Sequence, residues 1–284
     1  MPADLNVRID EETIQRESRD ETEDLHFPPD VVIEPTKTSE VVTVMQWASA
    51  HGVPVTASGA RTGLSGGALA INGGIALSMR RMNSILEVDE RNLQVRVQPG
   101  VIVENLQDAV ASKGLFYAVD PASRGSCSIG GNIAENSGGP RAVKYGVTKD
   151  WVLNLEVVLA DGSVIQTGAN TLKNSTGYNV TQLMIGSEGT LGIVTEATLK
   201  LLPLPAFKAL LLVPFASAEQ ACEAVSAIFQ SGVQPSAMEF MERSAIELAQ
   251  KFTGDYSLQM EDEVQAHLLI EVDAFRAEDL LPQM

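Results

Sequence analysis

Apolar and polar positions alternate along the chain in two rhythms. Val31-Val32-Ile33 is a short apolar run stopped by Pro35, which predicts a strand. Val41, Val44, Met45 and Ala48 then share one face of a predicted helix that Thr38 or Ser39 caps and Gly52 ends. Val53 to Ala57 predicts the next strand and feeds the loop Ser58-Gly59-Ala60-Arg61-Thr62-Gly63-Leu64-Ser65-Gly66-Gly67. A strand–helix–strand order puts this loop at the C-terminal end of a strand, where α/β folds place ligands. Strands are predicted again over 74–79, 85–88 and 93–97, the last with the alternation of a half-buried strand. Pro99-Gly100 breaks it, and Val103, Leu106 and Val110 mark a helix closed by Gly114.

Residues 120–146 lose the rhythm. Asp120 to Asn132 and Asn136 to Pro140 are polar and rich in Gly, with Ile129, Ile133, Val143 and Tyr145 between them. A long segment of that kind inside a domain is functional or disordered, and its apolar residues argue that it packs. Trp151 to Leu159 and Ser163 to Thr167 predict a hairpin through Ala160-Asp161-Gly162. A third Gly stretch, Gly186 to Gly192, leads into a strand over 193–201, and Pro203 and Pro205 mark a boundary. Beyond them come a strand over 209–213, a capping box at Ser217 to Gln220 opening a helix, further helix-prone residues, and a strand over 267–272. The expected organisation is an acidic, solvated and partly extended lead-in over 1–27, a main domain over 28–205, and the start of an α+β domain over 206–284, with a C-terminal part missing.

Gly lacks a Cβ, so the 58–67 loop can bring backbone N–H groups close to an anion, and successive N–H groups form a nest for phosphate oxygens. Gly63 and Gly66 are the positions expected to need positive φ or close contact. Ser58, Thr62 and Ser65 can add hydroxyl donors. One such loop is also what an ordinary turn looks like; two more downstream favour a long ligand with a pyrophosphate in its middle. Gly63 to Gly67 fits G-x-S-x-G as well, but that motif requires strand, turn and helix, and Gly66-Gly67 and Gly73-Gly74 frame a stretch unfit for a stable helix. Neither G-x-G-x-x-G nor a Walker A sequence occurs.

Composition narrows the partners. With 20 Lys and Arg against 37 Asp and Glu, the net charge is -17, which repels nucleic acid and anionic lipid. Two cysteines make no disulfide framework, three scattered histidines make no metal constellation, and the apolar runs are too short to span a bilayer. The expected location is cytoplasmic.

The ordered set Pro35, SGARTGLSGGA (58–68), VQPGV (97–101), DPASRGSCSIGGNIAENSGGPRAVKYGVTKDWVLNLEVVLADG (120–162) and GSEGTLGIVTEATLKLLPLP (186–205) resembles the PCMH-type FAD-binding domain of vanillyl-alcohol oxidase relatives. It is most similar to that of glycolate oxidase FAD subunits and FAD-linked D-lactate dehydrogenases. Residues 206–284 look like the first part of that group's C-terminal FAD-linked oxidase (cap) domain. The resemblance implies an α+β fold in which two subdomains clasp an extended FAD. It implies Ser58, Gly59, Ala60, Arg61, Thr62 and Gly63 at the pyrophosphate. Pro121, Ser126, Gly130, Gly131, Asn132 and Asn136 would lie along the pyrophosphate, ribityl and flavin portions, and Gly192, Ile193 and Val194 on the adenine side. The implied activity is oxidation of a D-2-hydroxy acid by hydride transfer to FAD, with a partner subunit or electron-acceptor protein. Relatives carry a histidine-rich metal and substrate motif later in the cap, and no such motif occurs in this chain, so no catalytic or metal residue is assigned. The alternative is an FAD-binding module without a complete catalytic site. Between His51 and His267 there is no histidine, so the FAD is expected to be non-covalent.

Overall fold

The computed structural model describes residues 5–283. The chain divides into two compact units, 1–137 with 147–203, and 138–146 with 204–284.

The first unit begins with β1 (Val7–Arg8) and α1 (Glu11–Glu17), followed by β2 (Val31–Ile33), α2 (Thr38–His51), β3 (Val55–Ser58) and β4 (Ile75–Ser78). These strands form one sheet in the order β1-β2-β4-β3, with β2 and β3 both parallel to β4. The chain continues through β5 (Ile85–Asp89), β6 (Gln94–Val97), α3 (Val103–Ala111), β7 (Leu115–Phe116) and α4 (Ile129–Glu135). After an excursion to the second unit through α5 (Ala142–Tyr145), it returns as β8 (Val152–Val158), β9 (Val164–Gln166), α6 (Val180–Met184), β10 (Ile193–Lys200) and β11 (Leu202–Pro203). An antiparallel sheet of order β5-β6-β10-β8-β9 results. The apolar face of α2, with Val41, Val44 and Ala48, joins Ile33, Ile75 and Leu77 of the first sheet and Val158 and Ile193 of the second in one core. Each such aliphatic side chain contributes about 1.5–3 kcal/mol by leaving water.

The lead-in departs from expectation. Residues 1–4 lie outside the described residues; from Leu5 to Phe27 most side chains are exposed, but the segment forms β1 and α1 and buries Thr13, Glu17 and Ser18. Asp10 caps α1 by accepting from the Thr13 backbone N–H at 3.0 Å. The bond from Arg8 and those from Thr13 hold the Asp10 carboxyl well below the usual carboxylate range. Thr13 and Glu17 turn inward and are buried. Its acidity suggested solvent exposure because the sequence does not show which carboxylates find buried donors.

The second unit contains β12 (Phe207–Phe215), α7 (Ala218–Gln230), β13 (Ala237–Glu242), α8 (Arg243–Thr253) and β14 (Ala266–Ala274). Its sheet has the order β12-β14-β13 and is antiparallel. The Ser217 side chain caps α7, accepting from the Gln220 N–H at 3.2 Å. The stretch between α7 and β14, read only as helix-prone, holds α8 but also the strand β13. Pairing Met238 with Ile270 places Met238 against the core of Ala221, Ala266 and Leu268, and that burial outweighs local propensity. Lys144 and Tyr145 of α5 meet Asp273 of β14. The Tyr145 hydroxyl donates to Asp273 Oδ2 at 2.7 Å, and Lys144 Nζ donates to Oδ1 at 2.5 Å. Burial, then this carboxylate, pushes the Tyr145 hydroxyl up.

Candidate cofactor cleft

The first unit brings its three Gly-rich loops to one cleft. The first leaves β3 at Ser58. The second carries α4, whose start is docked on the turn after β6: Ile129 N–H donates to Val101 O at 2.9 Å and Gly130 N–H to Pro99 O at 2.7 Å. The third is pinned to α4 through Gly186 N–H to Ile133 O at 2.9 Å and Glu188 N–H to Ala134 O at 3.0 Å. Close approach explains two glycines. A Cβ on Gly59 would lie 2.6 Å from Ser128 Oγ, and one on Gly130 would lie 2.6 Å from Pro99 Cβ.

Ser58 to Gly63, Gly130 to Asn132 and Gly192 to Val194 all line this cleft, which encloses about 1060 Å³ of empty space, open solvent at its mouth included. Pro121, Ser126 and Asn136 are not brought to the lining. The Pro121 carbonyl closes a turn with Arg124 N–H at 2.8 Å. Ser126 is exposed and turns its hydroxyl back to Ser123 O at 3.1 Å. Asn136 ends α4 at φ 52 and its Oδ1 accepts from Lys149 N–H at 2.9 Å, a structural task. Ser128, which caps α4, lies in the lining instead. A hydroxyl residue immediately before Ile129 was a readable N-cap signal. Asp20, Glu135 and Glu188 also line the cleft. Nothing in the sequence linked Asp20 to a loop some forty residues away.

Two expectations about the first loop need correcting. Positive φ falls at Arg61 (58) and Gly66 (77), not at Gly63, where an added Cβ would meet only Glu135 Oε1 at 4.0 Å. The Ser58 hydroxyl, expected as a donor to ligand, already donates to Glu17 Oε2 at 2.6 Å, which leaves Ser58 its backbone and its lone pairs.

Whether the lining fits an FAD diphosphate is decided by its polar atoms. Arg61 Nη1 is buried and ion-paired with Glu17 Oε2 at 2.6 Å. Asn132 Nδ2 is buried with only the Cys127 thiol near it as an acceptor. Buried donors normally find acceptors, so the open Asn132 amide, beside the backbone N–H groups of the Gly-rich loops, matches an acceptor-rich ligand. The residues fit.

The acidic lining works against a diphosphate. Burial, then the neighbouring Glu188, raises the Glu135 carboxyl above its ordinary value. An acid raised in the folded state binds more protons there than when unfolded, so its contribution to stability falls as pH rises from about 4.5 upward. Glu135→Gln is expected to flatten that slope and to tighten FAD binding about two- to threefold at neutral pH, the scale of one screened like charge. Thermal melts from pH 5 to 8 check the slope and flavin fluorescence titration checks the binding; a variant that binds more weakly overturns the electrostatic account.

Among the described residues, no group of three or more His, Cys, Asp and Glu is placed to hold a metal ion, and no helix is long and apolar enough to cross a membrane.

Comparison with known proteins agrees with this geometry. Residues 29–168 match the family described as FAD binding domain, and residues 204–283 match FAD linked oxidases, C-terminal domain. The chain is 44% identical over 256 residues to glycolate oxidase subunit GlcD of Bacillus subtilis (strain 168), covering 90% of this chain and 54% of that protein. It is 42% identical to a D-lactate dehydrogenase of Anaerostipes hadrus, covering 89% and 54%, and 41% identical to a D-2-hydroxyglutarate dehydrogenase of Xanthomonas citri pv. viticola, covering 86% and 51%. The chain thus spans about half the length of these relatives. The structure superposes on alkyldihydroxyacetonephosphate synthase with a TM-score of 0.81 at 22% identity, covering 94% of this chain and 53% of that one, which shows a shared fold. With its three-loop cleft in the first unit, this α+β chain carries an FAD binding domain followed by the C-terminal domain of FAD linked oxidases, and its two regions belong to those families.

Proposed function

We propose that the chain holds FAD without a covalent bond, and that the protein it represents oxidises a D-2-hydroxy acid of the glycolate, D-lactate or D-2-hydroxyglutarate type. The observation that carries the cofactor half is the meeting of three Gly-rich loops at one cleft that Arg61 and Asn132 also line. The names of the relatives support the substrate class. When bound, FAD supplies a hydride acceptor, and the protein's part is binding and orientation. Backbone N–H groups of Ser58 to Gly63, with Thr62 Oγ and Arg61 Nη1, would hold the diphosphate. Asn132 Nδ2 would donate to a further polar edge, and Gly192 to Val194 would approach through backbone. In this reading residues 28–205 form the cofactor region and residues 206–284 the start of the cap.

The test has two parts. Heat release and mass analysis of the bound cofactor should give FAD; FMN alone, or no flavin retained after reconstitution, overturns the cofactor assignment. Anaerobic mixing of the full protein with D-lactate, glycolate and D-2-hydroxyglutarate should bleach the flavin with at least one of them. Bleaching by none of them, with FAD bound, overturns the substrate class. A second reading, an FAD-binding subunit that needs a partner for turnover, is favoured by the word subunit in the name of GlcD. It expects the same FAD binding, with bleaching restored only when a partner chain is added.

A further inference from the structure

Glu17 ends α1 and is fully buried. A buried carboxylate is costly unless its oxygens are partnered. Its partners come mainly from the strands and loop that build the cleft. Oε2 accepts from Ser58 Oγ at 2.6 Å and contacts Arg61 Nη1 at 2.6 Å, while Oε1 accepts from Ser78 Oγ and from Arg16 Nε, both at 3.2 Å. Ser58 is the last residue of β3, and Arg61 is the cradle residue in the left-handed region. The chain after Glu17 stays on the same loop. Glu21 N–H donates to Gly63 O at 3.3 Å, Asp20 lines the cleft, and Leu25 lies where a Cβ on Gly66 would come within 3.1 Å.

We propose that Glu17 is a positioning residue for the cofactor: it fixes the Arg61 guanidinium and the Ser58 side chain beneath the cradle, and residues 17–25 form a working wall of the cleft. The proposal rests on the FAD reading above and adds to it a residue from a segment that looked like a solvated lead-in. An unanchored Arg side chain loses rotamer freedom when a ligand immobilises it. Glu17 removes that freedom in advance by holding Nη1 at 2.6 Å while Arg61 lines the cleft. The arrangement makes an unusual demand on sign. Judged by charge alone, neutralising a carboxylate beside a diphosphate strengthens binding. Judged by position, it weakens binding, because Arg61 loses its anchor.

The deciding experiment titrates FAD by flavin fluorescence into wild type, Glu17→Gln, Arg61→Met and the double variant. Glu17→Gln is expected to raise the dissociation constant about tenfold or more, on the scale of one lost charge-assisted contact. In the Arg61→Met background it should add little further, since both changes remove the same element. Unchanged or tighter binding by Glu17→Gln overturns the proposal, and so do additive effects in the double variant. Wild type that binds no FAD overturns the cofactor reading instead, which keeps the two failures apart. Should Glu17→Gln not fold, hydrogen exchange on wild type decides. Added FAD should protect amides in both 17–25 and 58–67, and protection of 58–67 alone overturns the proposal.

Discussion

Gly130→Ala is expected to cost the first unit about 2–4 kcal/mol and to abolish retention of FAD. The new Cβ would stand 2.6 Å from Pro99 Cβ, 3.1 Å from Pro99 O and 3.3 Å from Pro99 Cα, so two of the three nearest neighbours belong to backbone. Backbone cannot rotate away as a side chain does, and overpacking of this kind typically costs 1–3 kcal/mol or more. Relief requires α4 to lift from the turn, which stretches the 2.7 Å bond from Gly130 N–H to Pro99 O. The same movement carries Asn132 out of the cleft and loosens the third loop, which hangs on Ile133 O and Ala134 O. At about 2–4 °C per kcal/mol for a unit of this size, the thermal midpoint should fall by roughly 5–15 °C. Gly131→Ala is the control: its nearest neighbour is a side-chain hydroxyl, Ser128 Oγ, at 3.4 Å, so it should melt close to wild type. Equal midpoints for the two variants would show that α4 docking does not constrain the site.

What the sequence made legible follows from how local each signal is. The β3 strand and its loop, the cap at Ser217, and the breaks at Gly100 and Pro203 are written within a few residues of where they act. Their structural counterparts fall close to the expected positions. Ala237 to Glu242 was not legible as a strand, because its conformation is decided by a partner some thirty residues later, through the pairing of Met238 with Ile270. Glu17 was not legible either. One carboxylate in an acidic segment carries no mark that separates it from its solvated neighbours; only the fold brings Ser58, Ser78 and Arg61 around it. Within the cleft, glycines and short polar residues were readable as a class. The roles of Ser126 and Asn136 were not: Ser126 turns its hydroxyl back to Ser123 O within its own turn, and Asn136 Oδ1 accepts from the N–H of Lys149, thirteen residues on. The resemblance therefore located the loops, and the hydrogen bonds sorted the residues within them.

Acid precipitation of the FAD-loaded protein should leave all of the yellow colour in the supernatant. A covalent flavin needs a nucleophilic side chain at the cofactor, and the described lining of the cleft contains neither histidine nor cysteine. His26 is exposed and sits 3.1 Å from Gln15 Oε1. His51 ends α2, bonded through Nδ1 to Trp47 O at 2.7 Å and stacked on the Trp47 ring at 4.4 Å. Cys127 is next to the lining in sequence but is 3% exposed, and burial pushes its thiol up, away from the thiolate that attacks. In the second unit, His267 is buried on β14 and the Tyr145 hydroxyl is held by Asp273, with burial raising it as well. Each candidate is thus removed by position, by burial or by an existing bond. The expected protein mass after denaturation is that of the bare chain, with FAD recovered free. Colour retained in the washed pellet, with the mass raised by one FAD, overturns this. Peptide mapping of that adduct would then identify the nucleophile directly, with Cys127→Ser as the first variant to lose it.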